Sequence, residues 1–289
     1  MKYAYYPGCS LHSTATEYDA TTRAVCAALG VELAEIPDWN CCGATSAHAT
    51  NHLLSLALPA RDLVKAENMG LDVVAPCAAC YSRMATTLHE TKGNEVLRRK
   101  VSEIIGADFA ATAKAKSLLE VLAVDVGPKV VETKVQKPLK GLKVAAYYGC
   151  LLVRPPDVTG WDDAENPQSM ERLMTALGAE AVDWPFKTEC CGASLSVSRT
   201  DVVLKLVNDI LAMAKSCGAD ALVCACPMCQ ANLDGRQPAV EKAYKTTYHL
   251  PVFYFTQLMS LAMGIDEWKL GFRRHSIDPR ELLHAKEIA

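Results

Sequence analysis

Apolar residues fall along this chain in two alternating rhythms, and the alternation runs through the same order twice. Short β-branched or aromatic runs at Lys2–Tyr6 and Leu142–Tyr148 end in Gly-Cys, and helical spacing follows them until Gly30 and Gly178. Second short strands, Val31–Ile36 and Glu180–Trp184, lead into Cys-Cys-Gly. Long helices follow over about Ser46–Met69 and Leu195–Cys217, then third strands at Leu71–Ala75 and Ala219–Cys224, each leading to a Cys-x-x-Cys that opens another helix. Strands alternating with helices predict parallel sheet built from βαβ units. The expected fold is therefore α/β, with two pseudo-symmetric, duplicated, Rossmann-like halves. The span from about Glu90 to Val124, rich in Ala, Leu, Lys and Glu, predicts helix, and Leu250–Gly264 predicts a strand or extended segment entering a helix. The charged residues from about Asp266 read as a partly ordered tail. Gly127-Pro128 to Gly141 reads as a linker, which divides the chain into a first domain at 1–127, a linker at 128–141 and a second domain at 142–289 with a C-terminal extension.

Cysteines mark the repeat. Cys9 is followed by 31 residues, Cys41-Cys42, 34 residues and Cys77-x-x-Cys80; Cys150 is followed by 39 residues, Cys190-Cys191, 34 residues and Cys226-x-x-Cys229. Ten of the 13 cysteines fall into this register, and the flanking text repeats with them. A duplicated unit explains both facts. Each cysteine of a set is expected just past the carboxyl end of a strand or at the start of the next helix. Ligands bind at that edge of open α/β sheets, and helix N-termini stabilise thiolates.

Composition narrows the chemistry. With 289 residues, half of them hydrophobic, the chain can bury a substantial core. A formal charge of -3 and a pI near 6.2 give no electrostatic footprint for nucleic acid. No apolar run is long enough to cross a bilayer, and the start of the chain lacks the apolar core of a signal peptide. No direct membrane insertion and a cytoplasmic location are expected. Reducing cytosol does not maintain structural disulfides, and an odd number of cysteines cannot pair completely, so metal binding leads. A structural zinc site takes four ligands, commonly from two knuckles, whereas each set here has five sulfurs and one Cys-x-x-Cys. Adjacent cysteines such as Cys41 and Cys42 aim apart and suit two different metal ions, which favours a multi-iron cluster. A cubane cluster takes four thiolates, so the fifth points either to an unusual cluster or to a cysteine that does not always ligate. Cys26, Cys217 and Cys224 read as small buried apolar residues; Cys224 stands where the first copy has Ala75.

At these residues the chain resembles the family of tandem cysteine-rich CCG domains, and within it the B subunit of heterodisulfide reductase. The resemblance runs from Tyr5-Tyr6-Pro7-Gly8-Cys9 to Pro251–Leu258 and includes Arg154-Pro155 and Asp162-Asp163-Ala164-Glu165-Asn166-Pro167. It implies one noncubane [4Fe-4S] cluster on each set, held by Cys9, Cys41, Cys42, Cys77 and Cys80 and by Cys150, Cys190, Cys191, Cys226 and Cys229. It also implies reduction of a mixed disulfide, in methanogens that of coenzyme M and coenzyme B. The segments Ser10–Tyr18 and Gly43–His48 look more like bacterial homologues. Bacteria generally have no coenzyme B, so the substrate is another disulfide, a sulfur-carrier thiol, or no disulfide at all. No Rossmann glycine fingerprint is present, and neither flavin nor NAD is expected in this chain. The family implies two electron donors within a multisubunit complex: a small iron–sulfur subunit with two cubane clusters, and a flavin-containing subunit.

His12, and His48 and His52 on one face of a helix, are candidates to protonate departing thiolates; hydrogen bonding at a helix surface is the plainer role. Arg154 and Lys187 could attract an anionic substrate or offset cluster charge, or could be ordinary exposed cations. Trp161 and Trp184 are expected to pack. Two further readings stand beside the disulfide reductase. One is an electron-transfer module serving a partner enzyme or quinone, and the other is a zinc-binding structural protein.

Overall fold

The computed structural model describes residues 1–44 and 47–288, with Glu267 described by its backbone alone. The first half runs β1 (Lys2–Tyr5), α1 (Gly8–Leu11), α2 (Thr16–Ala28), β2 (Glu32–Glu35), α3 (Ala47–Thr50), α4 (His52–Met69), β3 (Val73–Ala75), α5 (Ala78–Thr91), α6 (Glu95–Ile105), β4 (Ala115–Ser117) and α7 (Leu118–Glu120). A π-helical turn over Val121–Val126 and α8 (Pro128–Glu132) lead onward. The second half runs β5 (Lys143–Tyr147), α9 (Ser169–Ala176), β6 (Glu180–Ala181), α10 (Thr200–Ser216), β7 (Ala221–Cys224), α11 (Pro227–Gly235), α12 (Gln237–Tyr244), β8 (Val252–Tyr254), α13 (Phe255–Ala262) and α14 (Arg280–Ala285).

Each half is a four-stranded parallel sheet, in the orders β2-β1-β3-β4 and β6-β5-β7-β8. The inner strands β3 and β7 are buried throughout (Val73, Val74 and Ala75; Ala221 to Cys224), which is why their sequences are continuous apolar runs. Register shows how closely the halves correspond. Tyr5 pairs with Val74 and Ala146 with Val223, and each valine lies three residues before its Cys-x-x-Cys. Tyr6 and Tyr147, Gly8 and Gly149, and Cys9 and Cys150 therefore occupy equivalent places. The edge pairings carry matching ion pairs, Lys2–Glu32 at 2.7 Å and Lys143–Glu180 at 3.6 Å. In both sheets the chain reverses its direction of winding between the first and third strands. At such a switch point the loops leave in opposite directions and open a crevice at the carboxyl edge.

Three sequence expectations are corrected. The span 90–124 is not one helix: α5 ends at Thr91, α6 ends at Ile105, capped by Gly106 in the left-handed region (φ 66°), and β4 then adds an edge strand. The helix expected from Ser46, whose first residue lies outside the described part, is broken at Asn51, which is extended and accepts the Leu54 N–H as N-cap of α4. His48 and His52 consequently sit on different helices. The C-terminal residues form 3-10 turns and α14 rather than a partly ordered tail, with Leu270, Phe272, Leu283 and Ile288 buried.

The two halves are joined by direct packing. Tyr18 of α2 stacks on Tyr254 with ring centroids 4.1 Å apart, the hydroxyls of Thr21 and Thr256 lie 2.8 Å apart, and Arg274 pairs with Glu17 at 2.9 Å. Gln257 secures the C-terminal segment: its side chain accepts the Tyr254 N–H, donates to the Leu270 carbonyl, and lies 2.9 Å from His275 Nε2. Burial pushes the His275 imidazole down to about 4. The folded state therefore prefers neutral histidine, and the unfolded chain binds more protons between about pH 4 and 6.5. Stability from this group is present above pH 6.5 and lost as pH falls through that window. His275→Gln should reduce the loss on going from pH 7 to pH 5 by about 2 kcal/mol, read from urea unfolding of both proteins at each pH.

Candidate metal centres

The topology brings all ten repeated cysteines to the carboxyl edges of the sheets. Cys9 lies in α1 just beyond β1, Cys41-Cys42 follows β2, and Cys77 is the N-cap of α5 directly after β3. The second set follows suit, with Cys226 the N-cap of α11 and Pro227 at that helix's first turn. Pro there gives up no hydrogen bond and leaves the helix N-terminus facing the sulfurs. Within the first set Cys42 Sγ and Cys80 Sγ lie 3.2 Å apart, and within the second Cys150 Sγ and Cys190 Sγ lie 3.7 Å apart. Cys150, Cys190, Cys191, Cys226 and Cys229 line a single cavity, closed from the other half by Ala44, Ala78 and Ala79. Among the described residues no three side chains converge as they would on one metal ion.

Crowding of sulfurs governs their protonation. Cys42 is pushed down to about 3, chiefly by the Cys41 thiol donating to it and then by Cys80, while Cys41 is raised in exchange. Cys190 is pushed down to about 6 by Cys150, which is raised. Cys226 is held well below the usual thiol value by Cys229 and then by Cys77, a residue of the other half. Cys77 is correspondingly raised, with Cys226 the largest cause. The two sets lie where the halves meet, since Ala78 and Ala79 at the start of α5 line the cavity of the second set.

The supporting residues repeat as the sulfurs do. Tyr6 Oη donates to the Asn40 carbonyl at 2.7 Å and Tyr147 Oη to the Glu189 carbonyl at 2.6 Å, each the residue before Cys-Cys. Gly8 (φ 70°) and Gly149 (φ 68°) pass so close to the sites that an added Cβ would lie 3.3 Å from Cys80 Sγ and 3.2 Å from Cys229 Sγ. Asn232 Nδ2 donates to the Cys191 carbonyl at 2.7 Å, and Asn40 Nδ2 to the Cys41 carbonyl at 3.0 Å. Tyr-x-Gly-Cys stands at the same place in both copies of the sequence; the support these tyrosines and glycines give the sulfurs shows only in the structure. The five thiolates, the glycine-lined close approach and the N-cap positions fit a multi-iron sulfide cluster on each set.

The other candidates are placed less centrally. His12 Nε2 lies 3.3 Å from Glu35 and edge-on to Trp39, His52 pairs with Glu90 at 2.8 Å, and His48 is exposed on α3. Arg154 holds its own loop, donating to the Ala164 carbonyl at 2.9 Å and pairing with Glu165 at 2.5 Å. Lys187 is buried, paired with Glu171 at 2.8 Å and donating to Asn166 at 2.9 Å; its carbonyl accepts the Tyr148 and Gly149 N–H groups. The structure thus commits Arg154 and Lys187 to internal partners. Trp161 and Trp184 donate their indole N–H groups to the carbonyls of Leu152 and Ala146. Cys26 is buried, its thiol pushed up to about 12 by burial, and Cys224 is buried too, whereas Cys217 is only partly covered at the end of α10.

A parallel α/β fold duplicated in one chain, with five cysteines at each sheet edge, defines a tandem cysteine-rich protein. Residues 3–85 and 144–234 each match the cysteine-rich (CCG) domain family, and the chain belongs to it, alongside the B subunit of heterodisulfide reductase. It is 34% identical over 288 residues to the 8-methylmenaquinol:fumarate reductase membrane anchor subunit of Wolinella succinogenes, covering 97% of this chain and 99% of that one. It is 30% identical over 288 residues to the B subunit of the ferredoxin:CoB-CoM heterodisulfide reductase of Methanosarcina mazei, covering 98% and 96% of the two chains. A protein of Archaeoglobus profundus described as like the heterodisulfide reductase B subunit is 30% identical over 279 residues, 94% of this chain and 93% of that one. Among solved structures, a hypothetical protein from Helicobacter pylori shares the fold with a TM-score of 0.76 at 14% identity; the match covers 96% of this chain and 52% of that one. Among the described residues no helix is long and apolar enough to cross a membrane.

Proposed function

We propose that this chain is an iron–sulfur oxidoreductase subunit that reduces, or reversibly oxidises, a disulfide-type substrate within a heterodisulfide-reductase-like complex. Two noncubane [4Fe-4S] clusters, one on each set of five cysteines, are its cofactors, and domains 1–127 and 142–289 each carry one. The observation that carries this reading is the contact between the two sets: Ala78 and Ala79, which lie between Cys77 and Cys80, line the cavity of the second set. Breaking R–S–S–R′ to R–SH and R′–SH takes two electrons and two protons, and bound clusters would supply the electrons one at a time. The two protons come from solvent, and residues of the chain shape the site. Tyr6 and Tyr147 fix the Cys-Cys turns, Gly8 and Gly149 admit the opposing sulfurs, and Ala44, Ala78 and Ala79 wall one side of the second set's cavity. Electrons come from a small iron–sulfur protein with two cubane clusters and from a flavin-containing protein of the same complex.

The relative named as a fumarate reductase subunit favours a second reading, in which the chain passes electrons between a quinol and a partner enzyme. Stopped-flow mixing of the anaerobic, cluster-loaded chain separates the two. Under the first reading the dithionite-reduced protein is reoxidised by the coenzyme M–coenzyme B disulfide, or by a simpler alkyl disulfide, with two thiols formed per disulfide consumed. Reduction of the oxidised protein by a menaquinol, with no reaction toward disulfides, would replace it with the second.

A further inference from the structure

The inner faces of α4 and α10 can be matched turn by turn. Leu58 packs over Gly43 after the first Cys-Cys and Leu206 over Gly192 after the second. From that register the buried positions coincide: Ser55 with Val203, Pro59 with Val207, Leu63 with Leu211 and Ala66 with Ala214. At the remaining shared buried position a carboxylate replaces a hydrocarbon, because Asp62 stands where α10 has Ile210.

Asp62 is 0% exposed. Its Oδ1 accepts the Asn40 N–H at 2.9 Å, next to Cys41, while its Oδ2 is buried without a hydrogen-bond partner. The cations nearest in sequence are engaged elsewhere, since Arg61 and Lys65 reach Asp38 at 2.9 and 3.1 Å. Burial above all pushes the Asp62 carboxyl up, to about 7, against the Asn40 hydrogen bond and the Lys65 charge, and the charge of nearby Cys42 adds to the rise. An unpaired carboxylate in such a wall is costly, and an aliphatic side chain would fill the place, as Ile210 does. The anion beside it is the first cysteine set, through Cys42.

We propose that Asp62 makes the two iron–sulfur centres unequal, its charge lowering the reduction potential of the first centre below that of the second, so that electrons pass from the first half to the second. The inference rests on the reading of the cysteine sets as redox centres. A fixed anion in low dielectric disfavours adding an electron nearby, and polar surroundings tune cluster potentials. Asp62 touches no substrate; it is a positioning residue acting on charge.

The test is a spectroscopically monitored redox titration at pH 9, where the carboxyl is ionised, on cluster-loaded wild type, Asp62→Asn and Asp62→Leu. Wild type should show two midpoint potentials, the lower of which disappears in Cys41→Ser. Asp62→Asn keeps the acceptor for the Asn40 N–H and should raise the lower potential alone, narrowing the gap; Asp62→Leu should do the same. Unmoved potentials in an iron-loaded Asn variant, or equal movement of both centres, would overturn the inference while leaving the proposed function intact. A wild type without iron or labile sulfide, measured on the same samples, would overturn the proposed function and this inference with it.

Discussion

Anaerobically prepared protein should carry about eight irons and about eight labile sulfides per chain, and Cys41→Ser and Cys190→Ser should each lose about half. The two variants act on different halves, so their losses should be independent. Cys41 follows β2 and Cys190 follows β6, and each sits with its own set, Cys41 beside Cys42 in the chain and Cys190 Sγ 3.7 Å from Cys150 Sγ. The double variant should lose nearly all iron. One or two zincs per chain without labile sulfide would instead make this a structural metalloprotein. Iron analysis with zinc measured in parallel decides between them, and a brown colour is its visible counterpart.

Gly149→Ala should empty the second site without touching a ligand. Two effects combine there. The residue sits at φ 68°, which costs an L-residue about 1–2 kcal/mol, and its new methyl group would lie 3.2 Å from Cys229 Sγ and 3.4 Å from the Tyr147 ring. The sulfur must yield, and it is one of the five that line the second cavity. Gly106→Ala is the matched control, since Gly106 has φ 66° and nothing within 4 Å of an added Cβ. Both variants should lose stability in chemical denaturation of the apo chain, Gly149→Ala the more, but only Gly149→Ala should lose about half the iron. Equal iron in the two would show that the close approach at Gly149 does not shape the site.

Much of this organisation was legible in the cysteine spacing. The ends of β1, β2 and β3 and of β5, β6 and β7 could be located because Gly-Cys, Cys-Cys-Gly or Cys-x-x-Cys follows each, and the wound βαβ order followed from the alternation of short apolar runs with helices. What escaped has physical causes. β4 consists of Ala-Lys-Ser at a sheet edge, partly exposed at Ala115 and Lys116, and so shows neither a continuous apolar run nor a clean alternation. The break at Asn51 was readable in principle as an N-cap, but His48 and His52 have the spacing of a continuous helix and concealed it. Arg154 and Lys187 looked like free cations because their partners, Glu165 and Glu171, lie 11 and 16 residues away in sequence and meet them only through tertiary folding. Order in the C-terminal segment depends on Gln257, Glu17 and Asp234, polar groups whose pairing has no sequence period.

The cavity around the second cysteine set is walled partly by Ala44, Ala78 and Ala79 of the first half. A lone repeat would therefore leave its sulfurs uncovered, and the ancestral unit could have sheltered a cluster only by associating with a second copy. Once both copies were encoded in one chain, neither remained bound to the sequence of its twin, and a matched pair of halves became free to specialise, with Asp62 on one side and Ile210 on the other.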